Sequence, residues 1–485
     1  MKAMKIKGCR YSCMVLTILS IILLIAACNP TPKGIKAGAA KVNITPPYGT
    51  IINGDFLPMY AQVIHDSLYS KALVFDNGQQ RFAFVVVDNM TLDVDLINDA
   101  KEIIFKNTGL TPEQVMISCT HAHSTGSVIE TATVQADMSY RLVMPGKIAM
   151  SVSLALENLQ PAKIAWGHTD VPKYVSCRRW YMKPGYPMIS PFGDTDKVWM
   201  NPPAGSEYLD KPVSPTDPQV GYLAVKTLDD RWISILANYS THYSGVPGNT
   251  ISADYFGEID VQLRSKLHTG DKFVGIMSNG TSGDVNTFDF NLNKNYPEDN
   301  YEKIRMMANE ITDSILVSLK GADWSENPVF RTAFAESRVE RRLPSPEVLA
   351  RSVELVRTTD FTKLGTTDKA SDDISRLYAL DVVKIDAYMP KQFSLPVQAI
   401  RIGEGTIGTM PGEMFAETGL KLKKEAPCKY YFSVCLANAM VGYVPPPEQF
   451  QLGGYETWLC SGSMLEVNGE EKIRTTLAGL VRSVQ

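Results

Sequence analysis

The sequence predicts an α/β fold, with a single large domain that has mixed β-sheets at its core and helices outside. The first observation is Asn77-Gly78 between two probable strands, because this dipeptide is typical of hairpin turns. The second is the segment at residues 82–87, which is apolar on both faces and is therefore expected inside a covered sheet. The third is the strand–helix–strand order formed by that segment, the helical periodicity of residues 92–108 and the apolar residues 114–119.

The other elements follow from hydrophobic periodicity and from breaker residues. An alternating strand is predicted near the start, at residues 38–44, and Pro46 and Pro47 end it. Residues 166–218 are rich in Pro, Gly, Tyr and Trp, so they are predicted to be a long irregular segment that forms a binding surface. Further strands are predicted at residues 219–225, 232–238, 273–277, 336–343, 397–401 and 406–410, and helices at residues 254–267, 301–319, 346–357 and 414–424.

Composition excludes one broad class of function. The chain has 485 residues, of which 44% are hydrophobic and 21% charged, as in an ordinary globular protein. The net charge is −4, and the lysines and arginines are scattered along the chain. A nucleic-acid-binding protein is expected to cluster its basic residues, so we predict no nucleic-acid partner.

The first 27 residues are predicted to be a lipoprotein signal peptide. A basic start precedes the apolar run at residues 14–27, which is shorter than the ~20 residues that span a bilayer. The run ends in Ile25-Ala26-Ala27-Cys28, which resembles a bacterial lipobox. We therefore expect a lipidated Cys28, a tether over residues 28–35, and an exported lipoprotein anchored on the periplasmic or cell-surface side of a membrane. An ordinary secretory signal with a chance cysteine is the alternative.

The cysteines of the exported chain do not indicate a disulfide framework. Five remain after Cys28, an odd number without any CxxC spacing. At most one disulfide, whose partners the spacing does not identify, is expected among Cys119, Cys177, Cys428, Cys435 and Cys460.

Candidate metal ligands follow three predicted strands. His121 and His123 form an HxH pair directly after a buried strand, His242 follows another apolar run, and Glu413 stands at a strand-to-helix turn. In α/β folds ligands gather at the carboxyl ends of strands, and imidazole and carboxylate groups are the donors of catalytic zinc. The same residues are also compatible with hydrogen-bonding surface histidines, a satisfied buried histidine and a charge at a helix N-terminus. The pattern alone therefore indicates a suspected metallohydrolase.

Short segments along the chain resemble the catalytic domain of the neutral/alkaline non-lysosomal ceramidases. They occur in the order found in that family. They are residues 37–46, 64–69, 120–124, 177–179, 217–221, 241–242, 251–255, 283–286, 411–413, 442–444 and 454–456. The resemblance implies that residues 36–485 form a neutral-ceramidase-like catalytic domain.

The resemblance also implies a metal site and a reaction. One zinc ion per chain would be held by His121, His242, Glu413 and Tyr443, and a metal-activated water would hydrolyse the N-acyl amide of ceramide. His123 would carry protons beside the ligands. Either Arg178 or Arg179, both in the segment at residues 177–179, would stabilise an oxyanion.

Two departures from the family pattern bear on the substrate. Asn286 stands where the ceramidases have a serine that is treated as catalytic. An amide is not a nucleophile, but in a catalytic role Asn286 could donate a hydrogen bond to a substrate carbonyl. The chain also ends near Gln485, without the C-terminal β-sandwich-like domain of characterised members. Three functions stay open: a ceramidase-like amidase, a zinc esterase or deacylase acting on another exported substrate such as an acylated glycan or peptide, and a non-catalytic ligand-binding lipoprotein. The expected partners are a lipid or small-molecule substrate and the membrane.

Overall fold

The computed structural model describes residues 34–54, 56–131, 134–294, 299–365 and 371–485. The predicted signal peptide, Cys28 and most of the tether lie outside these residues. Within them, no helix combines the length and the apolar character needed to cross a bilayer. The predictions made for residues 1–33 therefore stay predictions.

The larger of two main sheets has eight strands. In chain order these are β1 (Lys36–Asn43), β2 (Tyr69–Asp76), β3 (Arg81–Val87), β4 (Val115–Cys119), β5 (Gln160–Asp170), β6 (Gln219–Thr227), β7 (Trp232–Tyr239) and β8 (Val274–Asn279). Their spatial order is β8-β7-β6-β5-β1-β2-β3-β4. The pairs β7–β8 and β3–β4 are parallel and the other neighbouring pairs are antiparallel, so the sheet is mixed as predicted.

A second sheet packs against one face of the first. Its four strands are β9 (Phe330–Glu340), β10 (Gln392–Ile402), β11 (Gly405–Thr409) and β12 (Tyr430–Val434). Phe84 and Leu236 of the large sheet share one hydrophobic cluster with Ile400 and Phe432 of the second sheet. Burial of these side chains, at roughly 1.5–3 kcal/mol each, holds the two sheets together.

Helices cover the two outer faces. They are α1 (Val94–Thr108), α2 (Met138–Glu157), α3 (Asp254–Lys266), α4 (Asn300–Leu319), α5 (Pro346–Thr358), α6 (Asp372–Tyr388), α7 (Ala416–Glu425), α8 (Pro447–Phe450) and α9 (Gly469–Ser483). The helices α1 to α4 pack on the large sheet and α9 packs on the second sheet, which gives a helix–sheet–sheet–helix arrangement. The predicted α/β fold with helices outside mixed sheets is confirmed.

The prediction of irregular structure over residues 166–218 is wrong at its start. Trp166 and the four residues after it belong to β5, where they pair in register with β6. The cause is composition, since Gly167 and His168 interrupt the apolar pattern although both pair with the neighbouring strand. Short strands interrupt the rest of this segment at Ser176–Cys177, Arg179–Met182, Val198–Met200 and Leu209–Pro212. Other short strands lie at Ile51–Ile52, Met59–Tyr60, Val63–Ile64, Thr250–Ile251, Val285–Asn286, Glu413–Met414 and Tyr443–Val444.

The cysteines of the described chain are free thiols. They are Cys119, Cys177, Cys428, Cys435 and Cys460. The single disulfide that the sequence left open is therefore not formed among them.

Candidate metal centre

The curvature of the large sheet brings its two edge strands together. Asn279, at the end of β8, donates a hydrogen bond from Nδ2 to the carbonyl of Thr120, the residue that follows β4. The same asparagine accepts a hydrogen bond from the amide of Cys435, which follows β12. His121 comes directly after Thr120, so the carboxyl ends of three strands meet where the first histidine is placed.

Two imidazoles and one carboxylate converge at this meeting point. Nε2 of His121 lies 3.1 Å from Oε2 of Glu413, and Nε2 of His242 lies 3.5 Å from the same oxygen. All three side chains are buried. Three of the four residues predicted to hold zinc are therefore neighbours, although they are separated by up to 292 positions in the sequence, between 121 and 413.

His123 belongs to the same group of imidazoles. Its Nε2 lies 3.1 Å from Nε2 of His121, and its ring is perpendicular to that of His121 at a centroid distance of 4.6 Å. One ring nitrogen from each of His121, His123 and His242 lies within 4.8 Å of the others, so these three could also hold a metal ion. Tyr243 stacks on His123 with ring centroids 4.0 Å apart and fixes its plane.

The other nitrogen of each imidazole is held by a backbone carbonyl. Nδ1 of His121 lies 2.8 Å from the oxygen of Met90, and Nδ1 of His242 lies 2.9 Å from the oxygen of Ser282. Nδ1 of His123 is 3.0 Å from the oxygen of Gly54. A carbonyl accepts but does not donate, so Nδ1 carries the proton in each neutral ring and the lone pair is on Nε2. This is the arrangement that orients histidine towards a metal.

The carboxylate of Glu413 supports the same interpretation. Its Oε2 is buried and makes no regular hydrogen bond within the described part of the chain, although Nε2 of His121 lies 3.1 Å away. A buried carboxylate oxygen without a donor is costly. Two ligand atoms about 2.0–2.1 Å from a tetrahedral zinc are about 3.3 Å apart, and the observed 3.1 and 3.5 Å lie on either side of that value. The residues present therefore fit a small divalent cation.

Electrostatics keep two of the imidazoles neutral. Burial, followed by the charge of His121, lowers the pKa of His123 well below its ordinary value. Burial and the Arg178 guanidinium do the same to the pKa of His242. For His121 burial acts in the same direction, but the Glu413 carboxylate outweighs it and raises the pKa. His123 and His242 are thus bases with available lone pairs.

The backbone at the site adopts conformations that only strong local packing maintains. His121 has a φ of 66°, in the left-handed region, and its amide donates to the carbonyl of Asn89. Such a conformation costs about 1–3 kcal/mol for a residue with a Cβ and is concentrated at functional sites. Gly412, with a φ of 111°, lies so close to Gly442 that a Cβ would be 2.7 Å from its carbonyl oxygen. That close approach lets Glu413 pair with the strand of Tyr443.

Tyr443 is placed beside the group by this pairing. It is the register partner of Glu413 in a short parallel ladder. Its ring lies under the Arg178 guanidinium, whose carbon is 5.2 Å from the ring centroid, and a second tyrosine, Tyr455, packs on its edge at 5.7 Å. The role of Tyr443 as a fourth zinc ligand stays a prediction.

The two arginines share a buried carboxylate that the sequence did not identify as part of the site. Nε of Arg178 donates to Oε1 of Glu456 at 2.9 Å, and Nη1 of Arg179 donates to Oε2 at 2.6 Å. Nη1 of Arg178 lies 3.2 Å from Nε2 of His242, and its Nη2 is buried without a regular hydrogen bond to any described residue. Arg179 instead donates to the carbonyl of Gly453, and its guanidinium lies over the ring of Phe415. Arg178 is therefore the arginine at the centre.

Asn286, predicted to stand where the ceramidases have a serine, is linked to the segment of Arg178. Its Nδ2 donates to Oδ1 of Asn201 at 3.0 Å, and its Oδ1 accepts from the amide of Thr287 at 2.8 Å. The amide of Asn201 in turn donates to the carbonyl of Arg178. Asn286 is therefore tied to the segment that carries Arg178, and its catalytic role stays a prediction.

No protein-family model matches the chain, and no curated protein matches it. Solved structures do match it. The neutral ceramidase from Pseudomonas aeruginosa is similar with a TM-score of 0.68 and 13% identity, over 94% of this chain and 75% of its own. A structure described as ceramidase complexed with C2 is similar with a TM-score of 0.68 and 14% identity, over 93% of this chain and 75% of its own. The chain therefore shares the fold of the neutral ceramidases.

Proposed function

We propose that the chain is an exported, zinc-dependent hydrolase that cleaves the N-acyl amide of a lipid, with ceramide as the first candidate. The observation that carries the proposal is the convergence of two imidazole Nε2 atoms on the buried Oε2 of Glu413. The shared fold supports the reaction class, because the solved structures similar to this chain are ceramidases. Anchoring through a lipidated Cys28 is part of the same proposal and rests on the sequence.

His121, His242 and Glu413 would hold the zinc ion, with Tyr443 as the fourth ligand. When bound, zinc would supply Lewis acidity towards a water molecule and the substrate carbonyl. Imidazole nitrogen and carboxylate oxygen are donors that suit zinc better than magnesium or calcium. The carbonyls of Met90 and Ser282 keep both imidazoles in the tautomer that ligation needs.

Two further side chains, His123 and Arg178, would have separate roles in amide hydrolysis. Water adds to the amide carbon, and His123 accepts the proton released by that water at its Nε2. The same imidazole then returns the proton to the nitrogen that leaves as the C–N bond breaks. Arg178 has a buried Nη2 that makes no regular hydrogen bond to the described residues, and this donor would stabilise the negative charge that develops on the carbonyl oxygen.

A second function is favoured by one observation. Asn286 is held by Asn201 through an amide–amide hydrogen bond, so the rim of the site offers amide groups where the ceramidase family has a serine. Amides bind hydroxyl-rich substrates well. The same centre would then be an esterase or deacylase of an exported acylated glycan or peptide.

These functions can be distinguished by measuring metal content and turnover of a fluorescent ceramide together. The measurements use the full-length protein purified in detergent. We expect one equivalent of zinc and fatty-acid release that a chelator abolishes and added zinc restores. Bound zinc without turnover of ceramide would favour the second function, hydrolysis of glycan or peptide esters. Turnover of acetylated sugars would then be measured. A protein that binds no divalent metal would contradict both hydrolase proposals and leave the ligand-binding lipoprotein.

The variant Asn286→Ser is expected to raise turnover of ceramide by about tenfold, because a hydroxyl restores one hydrogen bond of about 1.4 kcal/mol to the substrate. Asn286→Ala is the matched control, since it removes the contact with Asn201 without adding a hydroxyl. Equal rates for the serine and alanine variants would show that the family serine position does not limit the reaction. The measurement is kcat/KM for ceramide at saturating zinc.

A further inference from the structure

Helix α2 has an apolar face that no other described element covers. Its outward residues include Leu142, which is 74% exposed, and Met138 and Met150, which are both 54% exposed. Val143 is also exposed, and Gly146 lies between these side chains. The stripe extends over three turns, about 18 Å along the axis. A surface helix normally presents polar residues on this side.

The charged residues of α2 do not interrupt the stripe. Arg141 turns back to the carboxylate of Asp93, 2.6 Å away, and Lys147 donates to the backbone carbonyl of Asn43. Glu157 stands at the helix C-terminus, beyond the last apolar residue. The neighbouring helix α1 differs, because its outer face carries the exposed acidic residues Asp95, Asp99 and Glu102. The outward stripe of α2 therefore has acidic residues on the side of α1, although Val94 and Phe105 of α1 are also exposed.

The segment that follows β1 contacts α2 and carries an exposed aromatic side chain a few residues further on. It is fixed along α2 because the hydroxyl of Tyr140 donates to the carbonyl of Ile44, beside the contact of Lys147 with Asn43. Four residues after Ile44, the ring of Tyr48 is 68% exposed. Tyrosine is enriched where proteins meet the interface of a bilayer.

The predicted lipid anchor enters the fold at the end of the same helix. Ala37 of β1 pairs with Gln160, three residues after α2 ends, and Gly38 lies directly under the carbonyl of Ala155. Six residues separate the described chain from the predicted lipidation site, counting Cys28 itself. Fully extended, they reach about 20 Å. Met150 lies about 10 Å along the axis from the last residue of α2, so the anchor keeps the stripe within reach of the membrane.

We propose that the outward face of α2 rests on the lipid bilayer that holds the anchor, as an interfacial contact and not as a span. This inference rests on the lipidation proposed above. An amphipathic surface of this kind inserts its apolar side chains at the boundary of headgroups and acyl chains, while the acidic face of α1 stays in water. The residue before α2 also contacts the segment that follows His123, because the amide of Asp137 donates to the carbonyl of Ser127.

Depth-dependent quenching tests the contact on the full-length lipoprotein in phosphatidylcholine–phosphatidylethanolamine vesicles. A single NBD label is placed at Leu142→Cys, and at Val467→Cys as the matched control. Val467 is also an exposed apolar residue, but it precedes α9 on the opposite outer layer. The unsubstituted chain gives the background from its own thiols. We expect lipids that carry a spin label near the headgroup to quench the Leu142 label at least threefold more than the Val467 label.

Equal quenching at the two positions would overturn the proposal, because the anchor alone keeps both labels with the vesicle. The emission of the Leu142 label could instead shift to the blue with rising protein concentration, without being quenched by the labelled lipids. That result would assign the face to contact with a second copy of the chain and would also overturn the proposal. These readouts do not require turnover, so they stay decisive even if ceramide is not the substrate.

The double variant Leu142→Glu/Met150→Glu provides a second measurement. We expect it to lose at least tenfold in turnover of lipid substrate presented in vesicles, with turnover of the same substrate in detergent micelles unchanged. Equal losses in both settings would contradict a role in membrane contact.

Discussion

The substitution His242→Ala is expected to remove the metal and to lower kcat/KM for any hydrolysed substrate by about 10³-fold or more. Removing a residue that only supports a ligand typically costs 10–100-fold in metal affinity or activity, and loss of a ligand itself costs more. His242 is buried, and its Nε2 lies 3.5 Å from Oε2 of Glu413. Without this imidazole the site keeps too few donors for a tightly held zinc ion.

A neighbouring histidine separates the two donor sets that the geometry allows. Replacing His123 with asparagine leaves His121, His242 and Glu413 in place. If His123 carries protons and is not a ligand, this variant keeps one equivalent of metal and loses about 10²–10⁴-fold in kcat, the typical contribution of a general base. Loss of the metal would instead assign the site to the three imidazoles within 4.8 Å of one another.

His268→Asn is the matched control for both variants. This histidine is exposed at the end of α3 and has a φ of 51°, a conformation that asparagine tolerates well. Metal content by mass spectrometry, kcat/KM and the thermal unfolding midpoint are measured on all three proteins. A His242→Ala protein that still holds one equivalent of zinc would show that the ligand assignment is wrong.

The positions of the histidines at strand ends could be predicted because the strands are locally encoded. β4 and β7 are short apolar runs, and the residues that follow them are polar and include His121 and His242. Parallel or mixed sheets bury such strands on both faces, which leaves a clear signal in the sequence. These apolar strands do not reveal that the two edges of the sheet meet. That contact is made by the hydrogen bond from Asn279, at the end of β8, to Thr120, after β4.

Helix α2 shows why other elements could not be predicted from periodicity. Both its buried and its outward faces are apolar, so the sequence lacks the alternation that marks an amphipathic helix. Pro145 and Gly146 also lie inside it, and both normally mark the end of a helix. Packing of Met144 and Ile148 against the large sheet outweighs these local signals. The outward apolar face removes the periodic signal by which the helix could have been predicted. It is the same face that we propose contacts lipid.

The carboxylate of Glu456 could not be assigned to the site from sequence because its partners are 277 and 278 positions away. Glu456 lies in the segment at residues 454–456 that resembles the ceramidases, but the resemblance implies no role for this residue. The structure shows it fully buried between two guanidinium groups. The charge-assisted hydrogen bond from Nε of Arg178 fixes that guanidinium beside the histidines, which makes Glu456 a positioning residue.

The substitution Glu456→Gln is expected to lower kcat by about 10–100-fold while metal content and KM stay close to those of the parent. The amide keeps the size of the side chain and one acceptor oxygen, but it removes the charge that orients Arg178. The Nη2 of that arginine would then no longer be held where the oxyanion forms, a loss of part of the 2.7–4 kcal/mol that one such donor contributes. Burying two arginines without their carboxylate also costs up to about 3–5 kcal/mol of stability.

Glu470→Gln separates the effect on catalysis from the effect on stability. Glu470 is equally buried and accepts from Arg474 at 2.9 Å and from Thr418 at 2.8 Å, but it lies between α7 and α9, away from the histidines. Both variants are expected to unfold at lower temperature, because each loses a buried charge pair. Only Glu456→Gln is expected to lower kcat at a temperature where both proteins are folded. Equal kcat values for the two variants would show that Glu456 stabilises the fold without positioning Arg178 for the reaction.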